Sequence, residues 1–109
     1  RALVHTELAN ALAAIHGKPE QAWTVESLAE QCCMSRSKFA TLFSNIVGET
    51  PLAYLQQYRF RLASQHLREG QLSIQQIAHR VGYSSETAFS QTFKRLFDLT
   101  PSQYRQQFQ

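Results

Sequence analysis

An all-α fold is predicted from three observations. Nowhere in the 109 residues does an apolar/polar alternation persist long enough to make a half-buried strand. The four Gly and three Pro fall mostly between stretches whose apolar residues recur at helical spacing. The second half of the chain also repeats the first. Thr24-Val25 matches Ser73-Ile74, Leu28-Ala29 matches Ile77-Ala78, and Met34-Ser35 matches Tyr83-Ser84, all at an offset of 49. One residue is gained near Ser85, and the offset becomes 50: Phe39 and Phe43 match Phe89 and Phe93, Ile46 matches Leu96, Thr50-Pro51 matches Thr100-Pro101, and Tyr54 matches Tyr104.

Seven helices follow in order. The first puts Leu8, Leu12 and Ile15 on one face and stops at Gly17. Pro19 falls in the connection, and Trp23 is expected to pack on this helix. Thr24 and Ser73 are N-cap hydroxyls, able to accept from a backbone N–H that has no helical partner. Gln76, three residues after Ser73, completes a capping box. The short helix behind each cap is expected to bury Val25, Leu28 and Cys32 in one copy and Ile74, Ile77 and Val81 in the other. Small Ala29 and Ala78 let a second helix cross closely. A tight turn comes next, Cys33-Met34 or Gly82-Tyr83, with Cys33 standing where the second copy has Gly. An N-cap at Ser35, or at Ser84 or Ser85, then opens another amphipathic helix. Short helix, tight turn, helix is the helix-turn-helix arrangement. The expected apolar face of its second helix is Phe39, Leu42, Phe43 and Ile46 in the first copy, and Phe89, Phe93, Leu96 and Phe97 in the second. At about 100° per residue, Ser37, Thr41, Ser44 and Asn45 oppose the first face, and Thr87, Gln91, Lys94 and Arg95 the second. Both outward faces are polar and free of acid.

Thr50-Pro51 and Thr100-Pro101 read as an N-cap followed by Pro at the first helical position. The helix from Pro51 is expected to run to about Arg68, to bury Leu52, Leu55, Ala63 and Leu67, and to end at Gly70. Its eighteen residues span roughly 27 Å, close to the ~34 Å repeat of major-groove faces. The expected organisation is a first helix-turn-helix subdomain over 1–50, a linker helix over 51–69 and a second subdomain over 70–109.

The net charge of +3 is unevenly spread. Residues 1–30 hold Arg1 and Lys18 against four Glu, while residues 31–109 hold nine Lys/Arg against four acids. Positive charge away from the N-terminus suits a polyanion. No apolar run approaches the ~20 residues that span a bilayer, so no membrane partner is expected. The adjacent pair Cys32 and Cys33 builds no disulfide framework and suits a reducing compartment, so a cytoplasmic protein is expected. His5, His16, His66 and His79 are scattered, no phosphate-cradling glycine loop or nucleophile motif is present, and neither metal, cofactor nor catalysis is expected.

The segment "SIQQIAHRVGYSSETAFSQTFKRLFDLTPSQYR" has the frame I-A-x-x-V-G-Y-x-S-x-x-x-F-x-x-x-F-K-R-x-F followed by T-P-x-x-Y-R. In this, and in Arg59 and Ala63 of the linker, the chain resembles the C-terminal DNA-binding domain of AraC/XylS transcriptional regulators, from Leu8 to Tyr104. The resemblance implies seven helices, two recognition helices in consecutive major grooves of double-stranded promoter DNA, and recruitment of RNA polymerase, most often for activation. It also implies a separate effector-sensing or dimerising domain outside this chain and a bacterial, nucleoid-associated location. Carried over by position, it implies base-edge contacts at Ser37, Ala40 and Thr41, and at Glu86, Thr87, Ala88 and Gln91.

The residue chemistry fits these roles. Gln91 offers a donor and an acceptor to adenine, Glu86 accepts from cytosine N4, and Thr87 reaches a base or a thymine methyl. Glu86 has a second reading, as a first-turn acid that favours the helix dipole. Arg36, Lys38, Lys94 and Arg95, with the hydroxyls of Ser35, Ser84 and Ser85, are the expected phosphate contacts. Arg59 and Arg61 are weaker candidates, with Glu49 and Glu69 as alternative partners. The competing function is a helical protein-interaction module built on the same repeats.

Overall fold

The computed structural model describes residues 2–109, with side chains from Thr6 onward; the side chains of Arg1 and His5 lie outside the described residues. Seven α-helices and no strand occur among them: α1 (Ala2–Gly17), α2 (Val25–Gln31), α3 (Arg36–Val47), α4 (Pro51–Glu69), α5 (Ile74–Arg80), α6 (Glu86–Phe97) and α7 (Pro101–Gln106). The chain divides into two compact units, 1–58 and 59–109, and the division falls inside α4.

Side-chain caps start the helices. The Thr24 hydroxyl accepts from Ser27 N at 3.0 Å, and Ser27 Oγ accepts from Thr24 N at 2.9 Å. Ser73 and Gln76 form the same reciprocal pair at 3.1 and 2.8 Å, and Thr100 and Gln103 do so at 3.1 and 2.9 Å. Thr50 Oγ1 accepts from Ala53 N at 3.2 Å to open α4. Ser35 caps α3 and Ser85, rather than Ser84, caps α6, accepting from Lys38 N and Ala88 N respectively.

The first unit packs Leu8, Ala11, Ile15, Leu28, Ala29, Phe39, Phe43 and Leu55 into one core. The second packs Phe60, Ala63, Leu67, Ile77, Ala78, Val81, Phe89 and Phe93. The repeat therefore extends to a third offset of 52, since Leu8, Ala11 and Ile15 of α1 correspond to Phe60, Ala63 and Leu67 of α4. Phe60, absent from the expected core, lies nearly parallel to Phe89 with centroids 5.3 Å apart. Each unit closes with a tyrosine hydroxyl on a basic side chain of its leading helical segment: Tyr54 with His16 Nε2 at 2.7 Å, and Tyr104 accepting from Arg68 Nη1 at 2.9 Å.

Leu55 has no apolar counterpart in the second unit, where Arg105 takes the position. Its guanidinium donates from Nε to Leu67 O at 3.3 Å and from Nη2 to Leu72 O. Leu67 is on the last turns of α4, so the charge lies where the helix's carbonyl end favours a cation.

Two expected burials are corrected. Leu52 is 44% exposed. The first-unit face of α4 is Pro51, Tyr54, Leu55 and Tyr58, at i, i+3, i+4 and i+7, and Leu52 stands about 100° around from Pro51. Leu96 is 40% exposed, because Phe97 fills the last slot of α6, stacked on Phe93 at 4.2 Å between centroids. Val25, Cys32 and Ile74 are half-buried against their cores. Trp23 packs on the first core and donates Nε1–H to Lys18 O at 2.9 Å, just beyond α1.

The turn inside each helix-turn-helix is a Schellman motif. Met34 N donates to Ala29 O at 3.0 Å and Cys33 N to Glu30 O at 3.1 Å; Tyr83 N donates to Ala78 O at 2.8 Å and Gly82 N to His79 O at 3.1 Å. The motif needs a left-handed residue before its last donor, and these are Cys33, at φ 56°, and Gly82, at φ 96°. The ends of α3 and α6 repeat the demand with the opposite chemistry: Gly48 has φ 93° and Asp98 has φ 64°. Of these two positions, each unit thus fills one with a glycine and the other with a residue that bears a side chain; Gly70, at φ 76° after α4, is a further left-handed glycine of the second unit. Beside the first turn, burial pushes the Cys32 thiol above the usual cysteine range; a hydrogen bond with the Ala11 backbone works against this and the neighbouring Cys33 adds to it.

Candidate nucleic-acid interface

Helices α3 and α6 are fixed by burial of Phe39 and Phe43 in one unit and Phe89 and Phe93 in the other. The face opposite these residues meets solvent on each helix. On α3, Arg36, Ser37, Lys38, Thr41 and Asn45 are exposed, as is the Ser35 cap, while Ala40 is half-buried. On α6, Glu86, Thr87, Ala88, Gln91, Lys94 and Arg95 are exposed, with Ser84 and Ser85 in front of the helix; Ser90, the counterpart of Ala40, is half-buried.

A shallow concavity runs along each helix. Ser37, Lys38, Thr41, Leu42 and Asn45 line the first, together with Glu7 of α1. Ser90, Gln91, Lys94, Arg95 and Thr100 line the second. Sequence reasoning missed Glu7, Ser90 and Thr100. The pattern of outward residues could have found Ser90, but nothing in sequence spacing brings Glu7 to α3.

The charges on the two helices are reversed. Arg36 and Lys38 sit in the first turn of α3, and its last turn has no basic residue. Glu86 sits in the first turn of α6, and Lys94 and Arg95 in its last. A helix dipole favours acids at its N-terminal end and cations at its C-terminal end, by about 0.3–1 kcal/mol each. Glu86, Lys94 and Arg95 therefore stabilise their own helix, whereas Arg36 and Lys38 oppose theirs. None of the four cations has an ion-pair partner among the described residues. The backbone amides at both helix starts are partly satisfied by Ser35 and Ser85, leaving an electropositive end at each.

Among the described residues no group of three or more His, Cys, Asp and Glu could hold a metal ion, and no helix is long and apolar enough to cross a membrane.

Comparisons with known proteins agree with this fold. Residues 28–107 match the helix-turn-helix domain family. The chain is 74% identical over 106 residues to the HTH-type transcriptional regulator AlkR of Acinetobacter baylyi, covering 97% of this chain and 35% of that protein. It is 42% identical over 104 residues to RclR of Escherichia coli, an RCS-specific HTH-type transcriptional activator, covering 95% of this chain and 37% of the relative. The chain thus spans about a third of the length of these curated relatives. Among solved structures, an AraC-type transcriptional regulator from Chromobacterium violaceum superposes with a TM-score of 0.85 at 29% identity, covering 99% of this chain and 96% of that one. The DNA-binding domain of AdpA, solved in complex with a target DNA, superposes with a TM-score of 0.85 at 32% identity, covering 94% and 92%. The chain belongs to the AraC/XylS family of helix-turn-helix transcriptional regulators and corresponds to their DNA-binding domain.

Proposed function

We propose that this domain binds double-stranded promoter DNA through two adjacent major-groove segments, one for α3 and one for α6, and that the protein carrying it activates transcription by recruiting RNA polymerase in the bacterial cytoplasm. The observation that carries the reading is the pair of capped recognition helices whose exposed faces are polar and bear cations without ion-pair partners. Ser37, Ala40 and Thr41 face one set of base edges, and Glu86, Thr87, Ala88 and Gln91 the other. Ser35, Arg36, Lys38, Ser84, Ser85, Lys94 and Arg95 hold phosphates. The AdpA domain was solved on DNA, and likeness to it supports the same ligand class here. Residues 1–50 and 70–109 act as the two reading modules with 51–69 as the linker, and a separate domain of the full protein senses an effector or dimerises.

A protein-docking module would present large apolar anchors on the same faces. Leu52, Leu96 and Phe108 are the large hydrophobic residues exposed among those described, and none is on these faces. Leu96 is about half a turn around α6 from Thr87.

The test is a fluorescence-anisotropy titration against a labelled ~20-bp promoter-derived duplex pool and a non-specific duplex across a salt series. Affinity falling steeply with salt, with some duplexes retained over the non-specific one, is the expected result. Negligible binding at low salt overturns the reading.

A further inference from the structure

Resting on that reading of DNA binding, we infer that the two units divide the work: α6 carries the base discrimination, through Glu86 and Gln91, while α3 serves mainly to anchor the domain on phosphates. Four differences between the repeats point this way. The groups able to specify a base at the groove-facing positions are unequal. Thr41 and Gln91 occupy equivalent sites, both exposed. The threonine hydroxyl sits directly on Cβ and pairs with any base, whereas the glutamine carboxamide stands farther out and presents a donor and an acceptor that match adenine. Ser37 and Thr87 are equivalent and similar in reach, so they do not separate the units.

The first residue of the helix is the second difference. Arg36 begins α3 and Glu86 begins α6, both exposed. A carboxylate beside a polyanion is repelled by phosphates and tolerated best where it accepts from cytosine N4–H or adenine N6–H. Glu86 therefore selects by penalising the wrong base, and it does so at a cost in overall affinity. Arg36 has the opposite effect, attracting any duplex.

Third, Arg36 and Lys38 lie where the α3 dipole disfavours cations and have no ion-pair partner among the described residues, so neither the dipole nor an ion pair accounts for their place at the α3 start. Both flank the electropositive helix end, the natural seat of a phosphate. Fourth, Ala40 of α3 has no side-chain polar atom, whereas its counterpart Ser90, half-buried like it, carries a hydroxyl. Asn45 is the remaining amide on the α3 face, but it lies near the C-terminal end of the helix, away from the N-terminal residues that enter a groove.

The experiment is selection of bound sequences from a randomised duplex library by the wild-type domain and by three variants, E86A, Q91A and the double variant S37A/T41A, with anisotropy on a fixed duplex alongside. The wild type is expected to enrich one segment of a few base pairs strongly, with the segment one helical turn away near random. Q91A and E86A are each expected to relax preference at one position of that segment by roughly tenfold, with E86A also tightening binding to non-selected duplexes. S37A/T41A is expected to keep the same preference. Equal enrichment in both segments, or a preference changed by S37A/T41A and not by Q91A or E86A, overturns the division while leaving DNA binding intact. Absence of binding to any duplex overturns both readings, and anisotropy separates that outcome from loss of selectivity.

Discussion

Substituting Cys33 by glycine is expected to stabilise the first unit. Cys33 holds φ 56° as the left-handed residue of the Schellman turn, and the matching residue in the second unit is Gly82 at φ 96°. For a residue with a Cβ, that conformation costs roughly 1–2 kcal/mol. Glycine removes the strain but loses more freedom on folding, by roughly 0.5–1 kcal/mol. The difference leaves a net gain of about 0.5–1 kcal/mol. In a unit of this size it raises the melting temperature by about 2–8 °C. Trp23 is the only tryptophan of the chain, and it packs on the first core, so its fluorescence during thermal or urea unfolding reports the relevant unit. The reciprocal change is Gly48→Ala, at φ 93°, where a Cβ would meet nothing within 4 Å. With no steric clash to add, it is expected to lose the same ~0.5–1 kcal/mol from the backbone alone. Asp98→Gly, in the other unit, should gain less, because aspartate tolerates the left-handed region better than cysteine, and should leave the Trp23 transition unmoved. A Cys33→Gly transition that stays in place or falls refutes the strain argument.

Three further outcomes follow from the packing. Because burial holds the Cys32 thiol above its usual range, its native protonated form favours folding below about pH 8.5, and that contribution is lost as pH rises through the thiol range; Cys32→Val, the residue type found at the matching Val81, is expected to flatten the alkaline fall in Trp23-monitored stability. Arg105→Ala leaves the Leu67 and Leu72 carbonyls without their guanidinium donors and is expected to lower second-unit stability by about 1–3 kcal/mol, read by far-UV circular dichroism in urea. Phe60→Ala removes a fully buried ring stacked on Phe89 and should cost about 3–5 kcal/mol in the same assay, whereas Leu52→Ala, at a largely exposed position, should cost under about 0.5 kcal/mol.

Helix starts and the repeat are local patterns, and they were legible as such. Hydroxyl caps at Thr24, Ser73 and Thr100 and the stop at Gly70 need only a few neighbouring residues to be recognised. The capping box of Thr24 was not, because its partner is Ser27 rather than the Glu or Gln of the usual pattern. The offset of 52 between α1 and the end of α4 was hidden for a different reason. In α4 one unbroken helix supplies Leu55 to one core and Phe60 to the other, so no turn residue marks where one repeat ends. The same continuity made Leu52 look like part of a single apolar stripe. Pairings such as Tyr54 with His16, 38 residues apart, depend on tertiary placement that no local pattern encodes. At the interface, the 100° periodicity identified the exposed faces of α3 and α6, but it did not distinguish half-buried Ala40 from exposed Thr41 beside it, nor bring Glu7 alongside them.

The exchange of Leu55 for Arg105 gives the closing helical segments of the two units different responses to temperature. In the first unit the slot is filled by apolar surface, and the attraction that holds such surface together weakens on cooling. In the second it is filled by a charged fork on two backbone carbonyls, whose hold is electrostatic. Near freezing, the segment around Leu55 should loosen before α7 does.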